Sequence, residues 1–369
     1  MDENQKDLSR HLEQLRSDID KIDLKILELI NHRLDLGKEI GQIKQKRKVG
    51  VLDSSREKQV IEKILKNNKG PADEQILKYI FNVIMTATKN IQKKQIVSFL
   101  GPKAGYSHIA ALNHFKHSGR FVEQEDIYEV FRNTNRNKTH YGVVPVENSI
   151  HGVVNNTLDF FPKFNDLKIC GEYYEPVSYD LISISGEKND IKTIYYPCSS
   201  VLSQCKIWKK NNFKNIEFIK ITNIKKTIEF VKNNKDAAII TSAKAANIYS
   251  LQVIESAIED FKGDITRFLI IGKDCPEKTG NDKTSIMFST SHSPGALFKA
   301  LEPVNNSGLN MLKLESRPKK NENWNYYFFM DIKGHIKEKI MEQTLEDMKK
   351  TTLYLQFLGS YPVFNKGNE

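Results

Sequence analysis

The stretch LELINHRLDLGKEIGQIK, residues 27–44, carries a cation where its pattern asks for an apolar residue. Upstream, Leu12, Leu15, Ile19, Ile22, Ile26 and Leu29 recur at alternating steps of three and four, the spacing of one face of an α-helix. The stripe resumes at Leu36, Ile40 and Ile43, and Arg33 fills the position between. Residues 7–47 contain no proline and only two glycines, Gly37 and Gly41, so they read as one helix. At 1.5 Å per residue that is a rod roughly 60 Å long. Such a rod is too long for a small lone domain to cover, and it is expected to pack against another copy.

Arg33 has two readings. It can snorkel to water along its aliphatic stem, or it can be kept for an anion, because a cation on a buried face needs an anionic partner. Lys44 lies about 20° away around the axis and roughly 16 Å along it, so the two long side chains can converge. Arg16 stands about 25 Å back, too far to grip the same small molecule, whereas an antiparallel partner helix would bring its own Arg16 into reach. A second helix is predicted from the N-cap residue Asp53 to about Asn68, stopped by Gly70-Pro71. A third runs from Ala72 to Lys93. Residues 1–94 therefore read as an all-helical module of three helices.

The pattern changes at QIVSFLGP, residues 95–102, a short apolar run closed by Gly-Pro. From there to about residue 275, runs such as YGVVPV, DLISIS and AAIIT alternate with helical stretches, the signature of an α/β fold. The polar PEKTGNDK, residues 276–283, reads as a linker. Residues 284–361 then give strand, helix, two strands, helix and strand, an order that suits a ferredoxin-like βαββαβ sandwich. The expected boundaries are 1–94, 95–277 and 283–362.

The chain has 369 residues and a formal net charge of +10. Its lysines are spread along the chain among acids, so the charge does not single out nucleic acid as a partner. No apolar stretch approaches a membrane span, and Met-Asp-Glu-Asn-Gln at the start carries no apolar run, so no signal peptide is expected. Cys170, Cys198, Cys205 and Cys275 show neither metal-ligand nor redox spacing. Reduced thiols in the cytoplasm are expected, with no metal and no cofactor.

With these residues in view, the first module resembles the all-helical mutase domain of bacterial bifunctional chorismate mutase–prephenate dehydratases. Arg16 in LRSDID, Arg33 and Lys44 in HRLDLGKEIGQIK, and Asp53, Arg56 and Glu57 in DSSRE follow that family's motif in order and spacing. Thr88 and Gln92 lie one turn apart on the third helix, Thr88 where the family usually has serine. The resemblance implies an intertwined dimer in which Arg33, Arg56 and the partner subunit's Arg16 hold the carboxylates of chorismate. It implies further that Lys44 and Gln92 face the ether oxygen, and that Asp53 and Glu57 take the ring hydroxyl and backbone contacts. The rearrangement to prephenate needs no nucleophile, only a held conformer and stabilised charge.

The middle module resembles prephenate dehydratase through FLGPKAGYSHIAA (99–111), YGVVPVENSIHG (141–152) and DITRFLIIG (264–272). Two α/β lobes with a site between them are implied. Thr266 would assist the departing hydroxyl, Arg267 and Phe268 would shape the strand entry, and Ser107, Glu147, Asn148 and Gln204 would contact prephenate. Read without the resemblance, Thr266 is a β-branched residue opening a strand, and Glu147-Asn148 a turn. Three positions depart from the family's pattern. Ala104 stands for a usual glycine, Asp264 for a common asparagine, and Cys198 for a usual histidine. The last module resembles the phenylalanine-binding ACT domain through Gly295, Ala296 and Leu297 in SPGALFKAL and through Glu315, Ser316, Arg317 and Pro318 in LESRP; Trp324 fits an aromatic of that region. Read alone, both are a helix start and a turn.

The expected function is therefore conversion of chorismate through prephenate to phenylpyruvate, with phenylalanine as inhibitor, in a homodimer or larger homo-oligomer. Two alternatives stay open: a mutase whose dehydratase has decayed, and an amino-acid-binding protein without catalysis.

Overall fold

A computed structural model describes residues 3–46, 54–92, 95–116, 119–150, 152–154, 157–213, 216–221, 223–319 and 326–364. The chain divides into two compact units, Met1–Lys94 and Gln95–Glu369.

The first unit holds α1 (Glu3–Lys46), α2 (Ser54–Asn67) and α3 (Glu74–Gln92). The third helix starts two residues later than the pattern suggests because Asp73 caps it: its Oδ1 accepts from the backbone N–H of Gln75 (2.7 Å) and Ile76 (3.4 Å). The expected cap of α2, Asp53, lies outside the described residues. Helix α3 packs along α1, where Gly37 and Gly41 are buried. The stripe itself is not covered by the described residues of this unit. Leu12, Leu15, Ile19, Ile22, Ile26, Leu29, Leu36, Ile40 and Ile43 are each 46–67 % exposed, an apolar face far longer than a stable monomer leaves to water. No helix among the described residues is long and apolar enough to cross a membrane.

The second unit is built on three sheets. The first has the order β2 (Arg120–Gln124), β1 (Ile96–Leu100), β3 (Tyr141–Asn148), β11 (Ile265–Gly272), β5 (Lys168–Pro176), with the short β4 (Gly152–Val153) on β3. Strands β1, β2 and β3 are parallel, joined by α4 (Tyr106–His114) and α5 (Ile127–Asn135). Strand β11 enters antiparallel between β3 and β5. The second sheet has the order β10 (Gln252–Glu255), β6 (Asp180–Ser183), β9 (Ala237–Thr241), β7 (Thr193–Tyr196), β8 (Glu217–Lys220). Around it lie α6 (Ser199–Gln204), α7 (Lys206–Asn212), α8 (Ile224–Asn233) and α9 (Ala243–Tyr249). These sheets make two lobes, and the chain crosses between them twice. The crossings are tied together: Val177 N donates to Asp264 O (2.8 Å), Tyr179 N to Glu259 (2.9 Å) and Ile258 N to Tyr179 O (2.8 Å).

The third sheet is antiparallel, in the order β13 (Met311–Pro318), β14 (Tyr326–Lys333), β12 (Asp282–Ser289), β15 (Tyr354–Pro362). With α10 (Ala296–Asn306) and α11 (Lys339–Thr351) it follows the βαββαβ order. Period two decides what each face buries. Ile286, Phe288, Met330 and Ile332 pack under the helices with Ala300, Met341, Leu345 and Met348. Met287, Phe329, Leu358 and Tyr361, on the opposite face, pack on Val146, Ile169 and Leu269 of the first lobe. One expectation is corrected here. The end of the presumed linker, Asp282 and Lys283, already belongs to β12 and is buried.

Lys283 is buried because it joins a charged cluster between sheet one and sheet three. Arg267 Nε donates to Glu172 (2.9 Å), and its Nη2 donates to Asp331 (2.7 Å) and Tyr361 (3.2 Å). Lys283 Nζ lies 2.6 Å from Glu172, and Ser285 Oγ donates to Asp331 (2.5 Å). Burial opposes the Arg267 charge, but Tyr361, Asp331 and Glu172 outweigh it and hold its pKa above the ordinary value. Burial likewise pushes the Asp331 carboxyl up, and Arg267 with Lys283 more than reverses this, leaving it below the usual carboxylate range. Removing one member of such a cluster strands the others, at about 3–5 kcal/mol. Arg267→Met should therefore unfold at clearly lower urea concentration than the parent chain. A carboxyl held low in the fold contributes stability that is present above its unfolded pKa, about 4, and lost as pH falls through the folded value. The gap between the two proteins should accordingly narrow below about pH 4; equal midpoints at pH 7 would refute the reading.

Two candidate active sites

In the helical unit, Arg33 and Thr88 meet. Arg33 Nη1 donates to Thr88 Oγ1 (2.5 Å), and that hydroxyl donates in turn to the Ile84 carbonyl one turn back (2.8 Å). The i−4 bond fixes the hydroxyl and, through it, the guanidinium. Arg33 is half-buried, and burial lowers its pKa. Its partner here is a neutral hydroxyl, so a planar set of N–H donors remains for an anion. Arg56 and Glu57 stand on the first turn of α2, where Arg56 Nη1 reaches Gln59 Oε1 (3.5 Å). Arg16 is exposed on α1 and far from Arg33 along the same rod. Lys44 and Gln92 belong to α1 and α3, but their side chains, like the whole of Asp53, lie outside the described residues.

In the second unit, β3 and β11 bring Asn148 and Thr266 into register as direct partners. Asn148 Nδ2 donates to Thr266 Oγ1 (3.0 Å) and to Asp264 Oδ1 (2.7 Å), while its Oδ1 accepts from Ile150 N (3.1 Å). Both ends of the amide are thus assigned by unambiguous partners. Thr266 Oγ1 is consequently an acceptor toward Asn148, and its own hydrogen is left to donate. Asp264, 2 % exposed, is the hub. It also accepts from Ser149 Oγ (3.0 Å) and, from the other lobe, from Gln204 Nε2 (3.5 Å). Gln204 closes α6, whose N-cap is Cys198, with Sγ 2.9 Å from Ser200 Oγ. The constellation is drawn from both lobes, at the crossings between them.

These hydrogen bonds do not include the other singled-out residues. Ser107 is buried in the first turn of α4. Just before it, Ala104 adopts φ +66°, the left-handed region where the expected glycine would be unstrained, and its N–H donates to His108 Nδ1 (3.1 Å). Glu147 and Arg267 face away from Thr266, because each is one residue off in an alternating strand. Arg267 enters the charged cluster, and Glu147 accepts from Lys313 (2.6 Å). Phe268 is a core residue, 1 % exposed. On the third sheet, Gly295 caps α10 at φ +77°. Ala296 and Leu297 line an open hollow with Thr290, Ser291, His292 and Pro294. Glu315, Ser316, Arg317 and Pro318 end β13, and Arg317 Nε donates to Asp159 (3.2 Å). Trp324 lies outside the described residues. Sequence reasoning missed Ser149 and saw Asp264 only as a departure. The signal was available, since Asp264 stands two residues before Thr266 and hence on the same side of the chain.

Two family models match the chain: chorismate mutase type II over residues 15–93, and prephenate dehydratase over residues 97–276. The bifunctional chorismate mutase/prephenate dehydratase of Aquifex aeolicus (strain VF5) is 39 % identical over 355 residues, 95 % of this chain and 98 % of that protein. Its namesake in Pseudomonas aeruginosa is 35 % identical over 357 residues, 95 % and 97 % of the two chains. Among solved structures, prephenate dehydratase in complex with L-Phe from Arthrobacter aurescens aligns with a TM-score of 0.65 at 25 % identity, over 73 % of this chain and 90 % of that one.

The three donors on Asp264 give a direct test of the hub. Asp264→Ala leaves the Asn148 and Gln204 amides and the Ser149 hydroxyl without their acceptor and should cost about 2–3 kcal/mol of stability. Asp264→Asn keeps one acceptor oxygen and should lose less. Thermal unfolding of the three proteins measures this, and an Asp264→Ala chain as stable as the parent would contradict the hub.

Proposed function

The chain belongs to the bifunctional chorismate mutase/prephenate dehydratases, and we propose that it converts chorismate to phenylpyruvate at two separate sites, one in each unit. The boundaries 1–94, 95–277 and 283–362 delimit the mutase, the dehydratase and a ferredoxin-like ACT module.

At the mutase site, Arg33 and Arg56 bind the carboxylates of chorismate together with Arg16 of the partner subunit. Thr88 fixes Arg33 from behind. Lys44 and Gln92 donate to the ether oxygen as charge grows there in the transition state, and Asp53 and Glu57 hold the ring hydroxyl and the backbone around it. No proton or covalent bond passes to the protein, so the rate gain comes from the held conformer and the preorganised charge. The nine half-exposed apolar residues of α1 support a second copy; burying such a face is the main driving force for association. The partner helix then carries its Arg16 to a site that lacks one of its own.

At the dehydratase site, the observation that carries the reading is the bond from Asn148 Nδ2 to Thr266 Oγ1. It turns the threonine proton toward the substrate. As the ring carboxylate leaves as carbon dioxide, its bonding electrons enter the ring and the C4 hydroxyl departs. Thr266 donates to that oxygen as negative charge collects on it, and the group is released as water after taking up a proton. Gln204 and Asn148 bind from the two lobes, Ser107 contributes from α4, and aromaticity drives the step. Phenylalanine, the amino acid made from phenylpyruvate, inhibits by binding Gly295–Leu297 and Glu315–Pro318 of the C-terminal module. The Arthrobacter relative, solved with L-Phe, supports phenylalanine as the ligand. The enzyme acts in the cytoplasm as a homodimer or a larger assembly, without metal or cofactor.

Separate sites should fail separately. Lys44→Ala should lower chorismate turnover by on the order of 10²-fold or more and leave prephenate dehydration near the parent rate. Thr266→Val, which keeps shape and removes the hydroxyl, should stop phenylpyruvate formation while prephenate accumulates from chorismate. Parallel loss of both activities in either variant would defeat the two-site account.

The shared mutase site can be tested by mixing. Arg16→Ala and Arg33→Ala chains should each be inactive. In a mixed dimer one site collects both defects and the other neither, so about half the parent activity per dimer should return, by two-fold symmetry. No recovery after demonstrated chain exchange would place both arginines in one chain's site.

A further inference from the structure

The strand that presents Asn148 is held from behind by the C-terminal module. Glu147 precedes Asn148 and points the other way, where its Oε2 meets Lys313 Nζ at 2.6 Å. We propose that Lys313 is a positioning residue of the dehydratase site. Its ion pair with Glu147 sets the end of β3 that offers Asn148 to Thr266, and through it the state of β13 reaches the chemistry.

Three observations set this pair apart from the sealed cluster between the modules. The first is exposure. Glu172, Lys283 and Arg267 are sealed, with side chains at most 7 % exposed, whereas those of Lys313 and Glu147 are 20 % and 38 % exposed. Opening the sealed cluster strands charges in an apolar layer, while opening the Lys313–Glu147 pair lets water replace each partner. The second is the place of the strand in its sheet. β13 is the edge of its sheet and pairs only with β14, and its register shifts between Met311 and Lys313. The third is room to move. A cavity of about 20 Å³, the size of a single water, is lined by Val146, Arg267, Lys313 and Asp331. The void leaves space beside the Lys313 side chain.

Alternation along β13 puts Lys313 and Arg317 on the side facing the first lobe, where Arg317 meets Asp159, and Leu314 on the side facing the helices. The residues proposed to hold phenylalanine, 315–318, thus follow Lys313 on the same strand. Displacing Lys313 moves Glu147 and, one residue on, Asn148. That amide keeps its bonds to Asp264 at 2.7 Å and Thr266 at 3.0 Å only within a narrow range, and a misplacement near 1 Å can cost catalysis up to about 10²-fold.

The inference rests on the dehydratase role of Thr266 and on the phenylalanine reading of β13, and the test uses the full chain. Lys313→Met should lower kcat for prephenate about tenfold, with KM within about twofold and chorismate turnover unchanged. Lys313→Arg, which keeps the charge, should recover most of the loss. Glu147→Gln should resemble Lys313→Met, and the double variant should be no worse than the poorer single, because the two act as a unit. L-Phenylalanine should still bind Lys313→Met by calorimetry but no longer depress its remaining turnover. A parent kcat in Lys313→Met, losses that multiply in the double variant, or undiminished inhibition would overturn the proposal. Prephenate turnover surviving in Thr266→Val would instead bring down the dehydratase reading beneath it.

Discussion

Two neighbouring strands, β3 and β11, work on both of their faces at once. Their register sets Asn148 opposite Thr266 and Glu147 opposite Arg267. Because side chains alternate, the first pair faces the space between the lobes and the second faces the C-terminal sheet. A one-residue slip would exchange the two pairs, and the charges of Glu147 and Arg267 forbid it. Arg267 is bound by Glu172, Asp331 and Tyr361, all buried, and would be stranded anywhere else. The charged cluster is thus a device of register as much as of adhesion, and the Asn148–Thr266 pair inherits its accuracy. It also explains why a module that carries no dehydratase chemistry sits tight against one that does.

The helical unit depends on a different constraint. Its long helix is apolar along a stripe that the described residues leave half-exposed, and the proposed second copy would cover it. Arg33 breaks that stripe, and its only partner among the described residues is the hydroxyl of Thr88. A cation facing a neutral group in a partly dry environment is suited to binding an anion. The α/β unit, by contrast, brings its constellation together within one chain.

Much of this was legible in the residues. The three-and-four spacing predicts α1, Gly70-Pro71 separates α2 from α3, and apolar runs closed by glycine mark β1 and β11. Arg33 announced itself by interrupting its own pattern. Thr266 and Asn148 carried weaker local signals and were found through the family motifs around them. What sequence alone could not supply were partners chosen by tertiary register. Arg267 reads as a residue shaping a strand entry, and only the fold shows Asp331 against it from another sheet. Lys283 looked like part of a polar linker, since nothing local reveals that Glu172 waits for it in the core. Asp264 looked like a deviation, and its three donors come from two lobes. The exposed stripe of α1 is the opposite case: the pattern foretold burial, and the described residues leave it half-exposed.

Both steps should occur in one polypeptide. The most direct measurement feeds chorismate to the purified full-length chain and follows the products by ultraviolet absorbance and chromatography, with prephenate supplied separately as a second start. Chorismate should disappear, prephenate should appear transiently, and phenylpyruvate should accumulate from either start. Prephenate that accumulates from chorismate and persists when supplied directly would contradict the account, leaving a mutase joined to an α/β unit that does no chemistry.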